Sequence, residues 1–374
     1  MLRFIHGSDL HLGKRFGNMP EDLRGRLREA RHGIIERLAV HAKDNGANIV
    51  LLAGDTFDTE TPAPEIRRQA LAEMNHHSSL RWILLPGNHD SLQAAQLWNA
   101  LRADAPDNIV LATEAEIVTI APGVALLPAP CTARRPGRDL TEWMDGAATP
   151  DGSIRLGLAH GAIQSFSEDE VASDTIAPDR AKRAGLDYMA LGDWHGSVSV
   201  NDRTYYSGTP EPDRFKHGRP GQAMLVSIEE AGAIPEVRAV DTGSFLWQDL
   251  SLHLLPQDVC TDSLASLLPT GTKRRQTLLR IAASGRIKID DRIALAAAVA
   301  HAVPEFAYLE LDDSALETVC ESDDLDLIDR GGALRNAAEA LLAQSKDEQL
   351  PLTERQIARS ALIRLFSYCE KIAS

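Results

Sequence analysis

The 374-residue sequence has few cysteines, no long apolar run and no excess of basic residues. Its four cysteines lie far apart and form no Cys-x-x-Cys pair, which argues against a thiolate zinc site and a disulfide scaffold. No apolar run approaches the roughly 20 residues of a membrane span, and the N-terminus lacks a secretion-signal pattern. A Gly-x-x-x-x-Gly-Lys phosphate loop is also missing. These absences predict a soluble cytoplasmic protein.

The formal net charge is −15, so any binding of nucleic acid must depend on local basic patches or on bound cations. Part of the acidity lies between residues 305 and 329, a stretch without a basic residue that we interpret as a solvated face or loop. The hydrophobic fraction of 44% is typical of a globular chain. At roughly 100–200 residues per domain, the length predicts two domains, or one large domain with an appendage.

The first half of the chain alternates apolar runs with helix-like stretches, which is typical of a layered α/β domain. One long amphipathic helix is expected from Glu21 to Asn45 and another over Pro64–His77. The closely spaced later strands suggest a second, more antiparallel sheet. Strands are expected at Leu2–His6, over ANIVLLAGD and RWILLPGNHD, and at Gly123–Leu127, Ile154–His160, Tyr188–Gly192, Thr204–Ser207 and Ala223–Ile228.

The character of the sequence changes after Thr242. Strands expected at Phe245–Leu255, Gln276–Ala283 and Phe306–Leu311 alternate with helix-like segments, which predicts a small second α/β domain. The tail is expected to be helical, with a capping box at Thr353 and Gln356. Its last helix carries an apolar stripe from Ile357 to Ile372. We therefore expect domains at residues 1–243 and 244–320, followed by a helical region at 321–374.

Five polar motifs follow predicted strands, and aspartate, histidine and asparagine dominate them. In open α/β sheets, the loops after the carboxyl ends of strands meet at one edge and form ligand sites. One such motif alone is typical of a turn, whereas five in succession favour a shared metal centre. The motifs are Ser8-Asp9-Leu10-His11, Gly54-Asp55-Thr56-Phe57-Asp58, Gly87-Asn88-His89-Asp90, Ala159-His160-Gly161 and Gly192-Asp193-Trp194-His195-Gly196.

The number of these side chains exceeds what one cation needs. About six to eight oxygen and imidazole ligands predict two divalent metal ions that share a carboxylate. Mixed ligation without thiolate favours manganese, with magnesium, iron or zinc as alternatives, and is too rich in nitrogen for calcium.

With these motifs, the sequence resembles the calcineurin-like metallophosphoesterases and, within them, the SbcD-type DNA repair exonuclease subunits that work with an SMC-like ATPase. The resemblance covers Met1 to Thr242 and includes SGTPEPDRF (Ser207–Phe215), which is similar to the stretch that closes the nuclease domain in that branch. It implies a four-layer α/β/β/α sandwich, a small C-terminal α/β capping domain and terminal helices that bind the ATPase. Beyond Thr242 only the order of elements is similar.

The resemblance also implies a role for each motif residue. One metal would be held by Asp9, His11, Asp55 and His195, and the second by Asn88, His160, Asp193 and the shared Asp55. His89 would lie beside the scissile phosphate and stabilise charge or protonate the leaving oxygen. The family usually has His-x-His where this chain has Asp193-Trp194-His195. Asp193 is therefore either a metal ligand or a residue that orients one.

Basic clusters near these motifs are candidate contacts to the DNA backbone, which would answer the acidic net charge. Solvated loop charge is the competing interpretation of each cluster. The clusters are Lys14 with Arg15, Arg134 with Arg135 and Arg138, and Arg214 with Lys216 and Arg219.

The residues and the resemblance together predict a two-metal-dependent phosphodiester hydrolase that acts on DNA as an exonuclease subunit in repair. An SMC/SbcC-like ATPase would bind the C-terminal helices, and the stripe Leu23–Leu38 would serve either a homodimer or the chain's own core. One alternative is a metallophosphoesterase of nucleotides or other small phosphodiesters, although the region after Thr242 argues for a larger substrate. Another alternative is a metal-depleted scaffold subunit of an ATPase complex.

Overall fold

A computed structural model describes residues 1–163, 175–216, 218–319 and 332–373. The chain divides into two compact units, Met1–Trp247 and Gln248–Ser374. In the part of the chain that the structure describes, no helix has both the length and the apolar sequence that crossing a membrane requires.

The first unit contains two six-stranded sheets. The strands of the first sheet are β1 (Leu2–Gly7), β2 (Ile49–Leu52), β3 (Arg81–Leu84), β4 (Ile109–Leu111), β11 (Gln222–Ile228) and β12 (Glu236–Asp241). Their order is β12-β11-β1-β2-β3-β4, in which β1 to β4 are parallel neighbours. β11 is antiparallel to β1 and to β12.

The second sheet has the order β5-β6-β7-β8-β10-β9. Its strands are β5 (Val118–Ala121), β6 (Val124–Ala129), β7 (Ile154–His160), β8 (Tyr188–Gly192), β9 (Val198–Asn201) and β10 (Thr204–Tyr206). The expectation that the second sheet is more antiparallel than the first is wrong, because β6, β7, β8 and β10 are parallel and only the edge pairs β5–β6 and β9–β10 are antiparallel. The connections after β6 and β7 are long enough for parallel crossovers.

Helices cover the outer faces of the two sheets. They are α1 (Glu21–His32), α2 (Ile34–Asp44), α3 (Pro64–His76), α4 (Ala95–Asp104) and α5 (Arg180–Arg183), with a 3-10 turn at Glu142–Gly146. Alternate residues of β2 explain its continuous apolar sequence: Ile49 and Leu51 join the core between the sheets, while Val50 and Leu52 pack under the helices. The layers are therefore α/β/β/α, as predicted.

The single helix expected from Glu21 to Asn45 is instead two helices that meet at Gly33. A Cβ at Gly33 would lie 2.8 Å from Arg37 Nη1. The guanidinium of Arg37 packs there and donates to the carbonyl of Ala30. Glycine also has a low helix propensity, so interrupting the helix at this residue costs little free energy.

The second unit has a three-stranded sheet of order β13-β14-β15, with β13 at Leu246–Leu254, β14 at Thr277–Lys288 and β15 at Tyr308–Val319. Two helices, α6 (Cys260–Leu267) and α7 (Ile289–Ala302), alternate with these strands and share a core with them. Helices α8 (Ala333–Lys346) and α9 (Leu352–Ala373) follow. Of the acidic stretch, Glu310, Asp312 and Glu317 are exposed on β15, whereas Glu321, Asp323, Asp324 and Asp326 lie outside the described residues.

One detail predicted for the tail is wrong. Helix α9 begins at Leu352, so Thr353 lies within its first turn and does not precede the helix as a cap. Ile357, the first residue of the predicted apolar stripe, is 68% exposed, while Ala358 and Leu362 are buried. The side chains of Cys369 and Ile372 lie outside the described part.

Candidate metal centre

The loops after β1 and β2 are joined side by side by backbone hydrogen bonds. The amide of Asp9 donates to the carbonyl of Gly54 over 3.1 Å, and the amide of His11 donates to the carbonyl of Asp55 over 2.9 Å. Asp9, His11, Asp55 and Asp193 all have positive φ, which is uncommon outside glycine and is concentrated at functional sites. This backbone turns the side chains of the first two motifs toward one centre.

Two glycines of the motifs allow the loops to approach one another closely. A Cβ at Gly87 would lie 2.1 Å from Asp55 Oδ1, and one at Gly54 would lie 2.3 Å from His160 Nδ1. Either contact is far inside van der Waals distance. Any larger residue would push Asp55 or His160 out of position, so these glycines belong to the geometry of the centre.

A first group of donor atoms comprises Asp9 Oδ1, His11 Nε2 and His195 Nε2. Asp9 Oδ1 is 3.8 Å from each of the two imidazole nitrogens, which are 3.4 Å from one another. Asp55 Oδ2 lies 3.8 Å from His11 Nε2. The four side chains that the resemblance assigns to one metal therefore surround a common point.

A second group lies on the other side of Asp55. Asp55 Oδ2 is 3.5 Å from His160 Nε2, which in turn is 3.8 Å from Asp193 Oδ1. The amide of Asn88 donates from Nδ2 to Asp193 Oδ1 over 2.8 Å, which leaves Asn88 Oδ1 available. Asp55 lies within 3.8 Å of an imidazole of each group, as a carboxylate shared by two cations would.

Several donor atoms of the centre are buried without a hydrogen bond to any described residue, namely Asp9 Oδ1, Asn88 Oδ1 and His160 Nε2. Buried polar atoms are costly when they have no partner, so such a set needs a further ligand. Carboxylate, amide and imidazole donors suit divalent cations. The residues present therefore fit a pair of divalent cations.

An acceptor oxygen lies near Nδ1 of each imidazole, and for His160 it makes a hydrogen bond. His160 Nδ1 donates to the carbonyl of Ala53 over 2.8 Å, since a carbonyl can only accept. His11 Nδ1 lies 3.4 Å from Asp58 Oδ1, and His195 Nδ1 lies 3.5 Å from Asp213 Oδ1. Metal-binding histidines typically have such a partner, which fixes the tautomer and turns the other nitrogen to the metal.

Burial and neighbouring charges shift the pKa values of Asp55 and His160 in the centre. Burial raises the pKa of Asp55 well above its usual range, with Asp90 and Asp9 adding to the effect. Burial alone would disfavour the charged imidazolium of His160, but Asp55, Asp9 and Asp193 outweigh it and raise the pKa to about 9. The carboxylates packed together thus hold a positive charge at this point, which is the property that a bound cation requires.

His89 stands beside the centre without contributing to either group. Its backbone amide donates to Asp55 Oδ1 over 2.9 Å, and its Nδ1 donates to the carbonyl of Asp58 over 3.0 Å. The ring centroid is 4.9 Å from that of His11. Since the carbonyl can only accept, Nδ1 carries a proton.

The basic residues predicted to contact DNA lie in different surroundings. Lys14 is paired with the carboxylates of Asp213 and Asp58, while Arg15, Arg134 and Arg135 are exposed. Arg214 Nη2 lies 3.1 Å from His195 Nδ1, and Lys216 Nζ lies 5.4 Å from the ring centroid of Trp194. A cavity of about 250 Å³ beside His195 is lined by Arg214, Lys216, Arg219, Trp194 and Trp247, among others.

Sequence reasoning missed several buried charged residues around the centre. Asp90 accepts hydrogen bonds from the amides of Phe57 and Gly87, which ties the second and third motifs together. Fully buried Arg31 donates to the carbonyls of Leu10 and Glu211. Asp90 was visible as the last letter of GNHD, whereas Arg31 lies inside a helix and gives no local signal.

Comparison with known proteins places the chain in a family. A family model described as calcineurin-like phosphoesterase matches residues 2–197, which is more than half of the chain. The D subunit of the SbcCD nuclease of Bacillus subtilis (strain 168) is 29% identical over 94 residues, covering 24% of this chain and 22% of that relative. The alignment thus spans about a fifth of the relative's length.

Solved structures are similar at low sequence identity. The TT1561 protein of Thermus thermophilus matches with a TM-score of 0.41 and 10% identity over 64% of this chain and 99% of that one. A dimetal phosphatase from Danio rerio matches with a TM-score of 0.36 and 12% identity, also over 64% and 99%. Members of the matched family are phosphoesterases with two divalent metals, and the strand-end donors described above are candidate ligands for such a pair. On the extent of the family match, the chain belongs to the calcineurin-like phosphoesterases.

Proposed function

We propose that this protein is a two-metal phosphodiesterase that acts on DNA as the exonuclease subunit of a repair complex. The observation that carries the proposal is the pair of donor groups on either side of Asp55, next to a cavity lined by basic and aromatic side chains. The partial likeness to a subunit of the SbcCD nuclease supports DNA as the substrate.

Seven side chains hold the cations in this proposal. Asp9, His11 and His195 bind one cation, Asn88, His160 and Asp193 bind the other, and Asp55 binds both. When bound, two such cations clamp a phosphate, acidify a shared water and stabilise the entering and leaving oxygens. Asp193 adds a hard oxygen to the second group, which favours manganese or magnesium there. Its hydrogen bond from Asn88 Nδ2 keeps Asn88 Oδ1 turned to the same point.

His89 moves the proton in this mechanism. Nδ1 keeps its own proton for the hydrogen bond to the carbonyl of Asp58, so the proton that the leaving oxygen receives is a second one, held on Nε2 of the charged ring. The ring lies beside that of His11. Protonation of the leaving group and binding of the cations are thus separate tasks of separate residues.

The cavity beside His195 receives the strand next to the cleaved phosphate. Arg214 and Lys216 supply positive charge there for the phosphate backbone, and the half-exposed face of Trp194 suits a base. Arg15, Arg134 and Arg135 extend the positive surface on exposed loops. These local charges overcome the repulsion of an acidic chain.

The terminal helices bind the ATPase in this proposal. α8 and α9 expose large apolar side chains, with Leu334 at 47%, Leu352 at 63% and Ile357 at 68% exposure. These side chains offer apolar contacts to a partner. The buried Leu23 and Leu27 of α1 pack in the core, so a homodimer would use the exposed face of that helix.

Hydrolysis of an end-labelled linear DNA duplex, beside a small chromogenic phosphodiester, tests the proposal. With manganese we expect shortening from the ends that chelator abolishes and that Asp55→Ala lacks. Cleavage of the small diester alone would replace DNA by a small substrate while keeping the metal centre. No cleavage of either, with no metal in the purified protein, would indicate a scaffold subunit.

A further inference from the structure

Lys14 lies against the outer side of the metal centre, with its ammonium between two aspartates. Lys14 Nζ is 2.6 Å from Asp213 Oδ2 and 3.8 Å from Asp58 Oδ1. The side chain of Asp213 is 1% exposed, and that of Lys14 is 28% exposed. An ammonium paired this closely with a buried carboxylate is not free to hold a DNA phosphate, so the role that the sequence suggested for Lys14 needs replacing.

The two aspartates face the Nδ1 atoms of two imidazoles of one donor group. Asp58 Oδ1 lies 3.4 Å from His11 Nδ1, and Asp213 Oδ1 lies 3.5 Å from His195 Nδ1. The third imidazole differs, because His160 Nδ1 donates to a backbone carbonyl. Lys14 therefore touches the supports of His11 and His195 and leaves that of His160 alone.

The chain holds Lys14 in this place through the paired loops. The amide of Asp58 donates to the carbonyl of Leu12, and the amide of Lys14 donates to the carbonyl of His11. One backbone turn therefore separates Lys14 from His11, and the loop that carries Asp58 lies alongside. Without its charge, two neighbouring carboxylates would repel one another, and each would lose part of its hold on an imidazole.

We propose that Lys14 is a positioning residue that clamps Asp58 and Asp213 and thereby fixes His11 and His195 for one of the two cations. The inference rests on the proposed two-metal site but not on DNA as the substrate. Loss of an outer partner typically weakens metal binding about 10–100-fold. Since Lys14 acts through those partners, we expect the lower end of that range, at one cation only.

The test compares Lys14→Met with Arg15→Met, the exposed basic neighbour. Titration with Mn²⁺, followed by calorimetry and by the electron paramagnetic resonance of bound manganese, is expected to show one Kd raised about tenfold in Lys14→Met and the other unchanged. Lys14→Arg, which keeps the charge, is expected to restore it. Arg15→Met should keep both affinities, and thermal unfolding in chelator checks that every variant is folded.

Binding of a DNA duplex in chelator over a range of salt concentrations separates the clamp from a phosphate contact. Arg15→Met should lower the slope of log K against log salt by about 1, while Lys14→Met leaves it unchanged. Unchanged Mn²⁺ affinities in Lys14→Met, equal weakening of both cations, or wild-type protein that binds fewer than two Mn²⁺ would overturn the clamp. Wild-type protein that binds two Mn²⁺ but no duplex would refute the DNA activity, and the manganese titration would still decide the role of Lys14.

Discussion

The two α/β units of this chain bury very different side chains. Among the described residues, the buried polar side chains of Gln248–Ser374 are two threonines, Thr277 and Thr318, whereas Met1–Trp247 buries aspartates, histidines, arginines and a glutamate. The described non-glycine residues with positive φ also all lie in the first unit. A hydrophobic core needs neither feature, so the first unit loses stability to arrange charged groups, while the buried side chains of the second serve packing.

Asp55→Asn gives the largest expected effect, because Asp55 belongs to both donor groups. We expect phosphodiester hydrolysis to fall by about 10³-fold or more, since several kcal/mol of charge stabilisation by the cations is lost. The free energy of unfolding of the metal-free protein should instead increase. Burial raises the pKa of Asp55, so its charged form destabilises the metal-free fold near neutral pH, and the neutral amide removes that cost.

Urea unfolding with and without Mn²⁺ checks this trade-off. In chelator, the variant's free energy of unfolding should exceed that of the wild type by about 1 kcal/mol. Added Mn²⁺ should stabilise the wild type far more than the variant. A variant that is less stable than the wild type in chelator would remove the contrast drawn between the two units.

His89→Ala should lower kcat by about 10³-fold through loss of the proton donor. The contact of His89 with Asp55 is made by its backbone amide, which alanine keeps. Both Mn²⁺ affinities should therefore stay close to those of the wild type in a calorimetric titration. Loss of a cation in His89→Ala would show that the ring belongs to the metal centre itself.

The fold of the first unit was largely predictable because its strands are apolar runs that end in recognisable motifs. The strands Ile154–His160 and Tyr188–Gly192 were predicted with their observed bounds. The break at Gly33 and the parallel second sheet were not predicted, because the first depends on side-chain packing and the second on pairing between distant segments. Local periodicity does not reveal that Arg37 packs on Gly33, nor which strands become neighbours.

The candidate site shows the same limit. Its aspartates and histidines stand out in sequence because they follow strands, and the structure brings Asp9, His11, Asp55, His160 and His195 together. Of the residues behind them, Asp213 lies in a loop and Arg31 lies inside helix α1. Lys14 was visible as a basic residue near a motif, but only its contacts show that it faces carboxylates.

Ile281→Ala sharpens the contrast by damaging the second unit alone. Ile281 is fully buried on β14, and its truncation should lower the free energy of unfolding by about 3 kcal/mol. Leu158→Ala, a matched change on β7, should cost a similar amount. Because His160 lies two residues further along β7, only Leu158→Ala should also slow cleavage of a small phosphodiester, by about tenfold or more.

Both rates are measured in native buffer, and both stabilities by urea unfolding. Equal loss of cleavage in the two variants would show that the second unit contributes to chemistry as well as to packing. In that case the contrast in buried side chains would not mark a division of labour.

The smallest expected effect concerns His6, a buried polar residue of β1 that takes no part in the metal centre. Its Nδ1 lies 2.9 Å from the hydroxyl of Tyr188, and burial lowers its pKa to about 3. Between pH 6.5 and about 3, His6 is protonated in the unfolded chain but not in the folded chain. Stability from this residue is therefore complete above pH 6.5 and falls as the pH drops toward 3, by about 1 kcal/mol per pH unit.

His6→Asn keeps a polar atom near Tyr188 but cannot take up that proton. Urea unfolding at pH 6, 5 and 4 should show a shallower decline in the variant than in the wild type, even though the smaller side chain costs about 1 kcal/mol at pH 7.5. Parallel declines would show that His6 is protonated in the folded state. The cost of burying an ionisable group would then not extend to His6, and the contrast with the second unit would be weaker at this position.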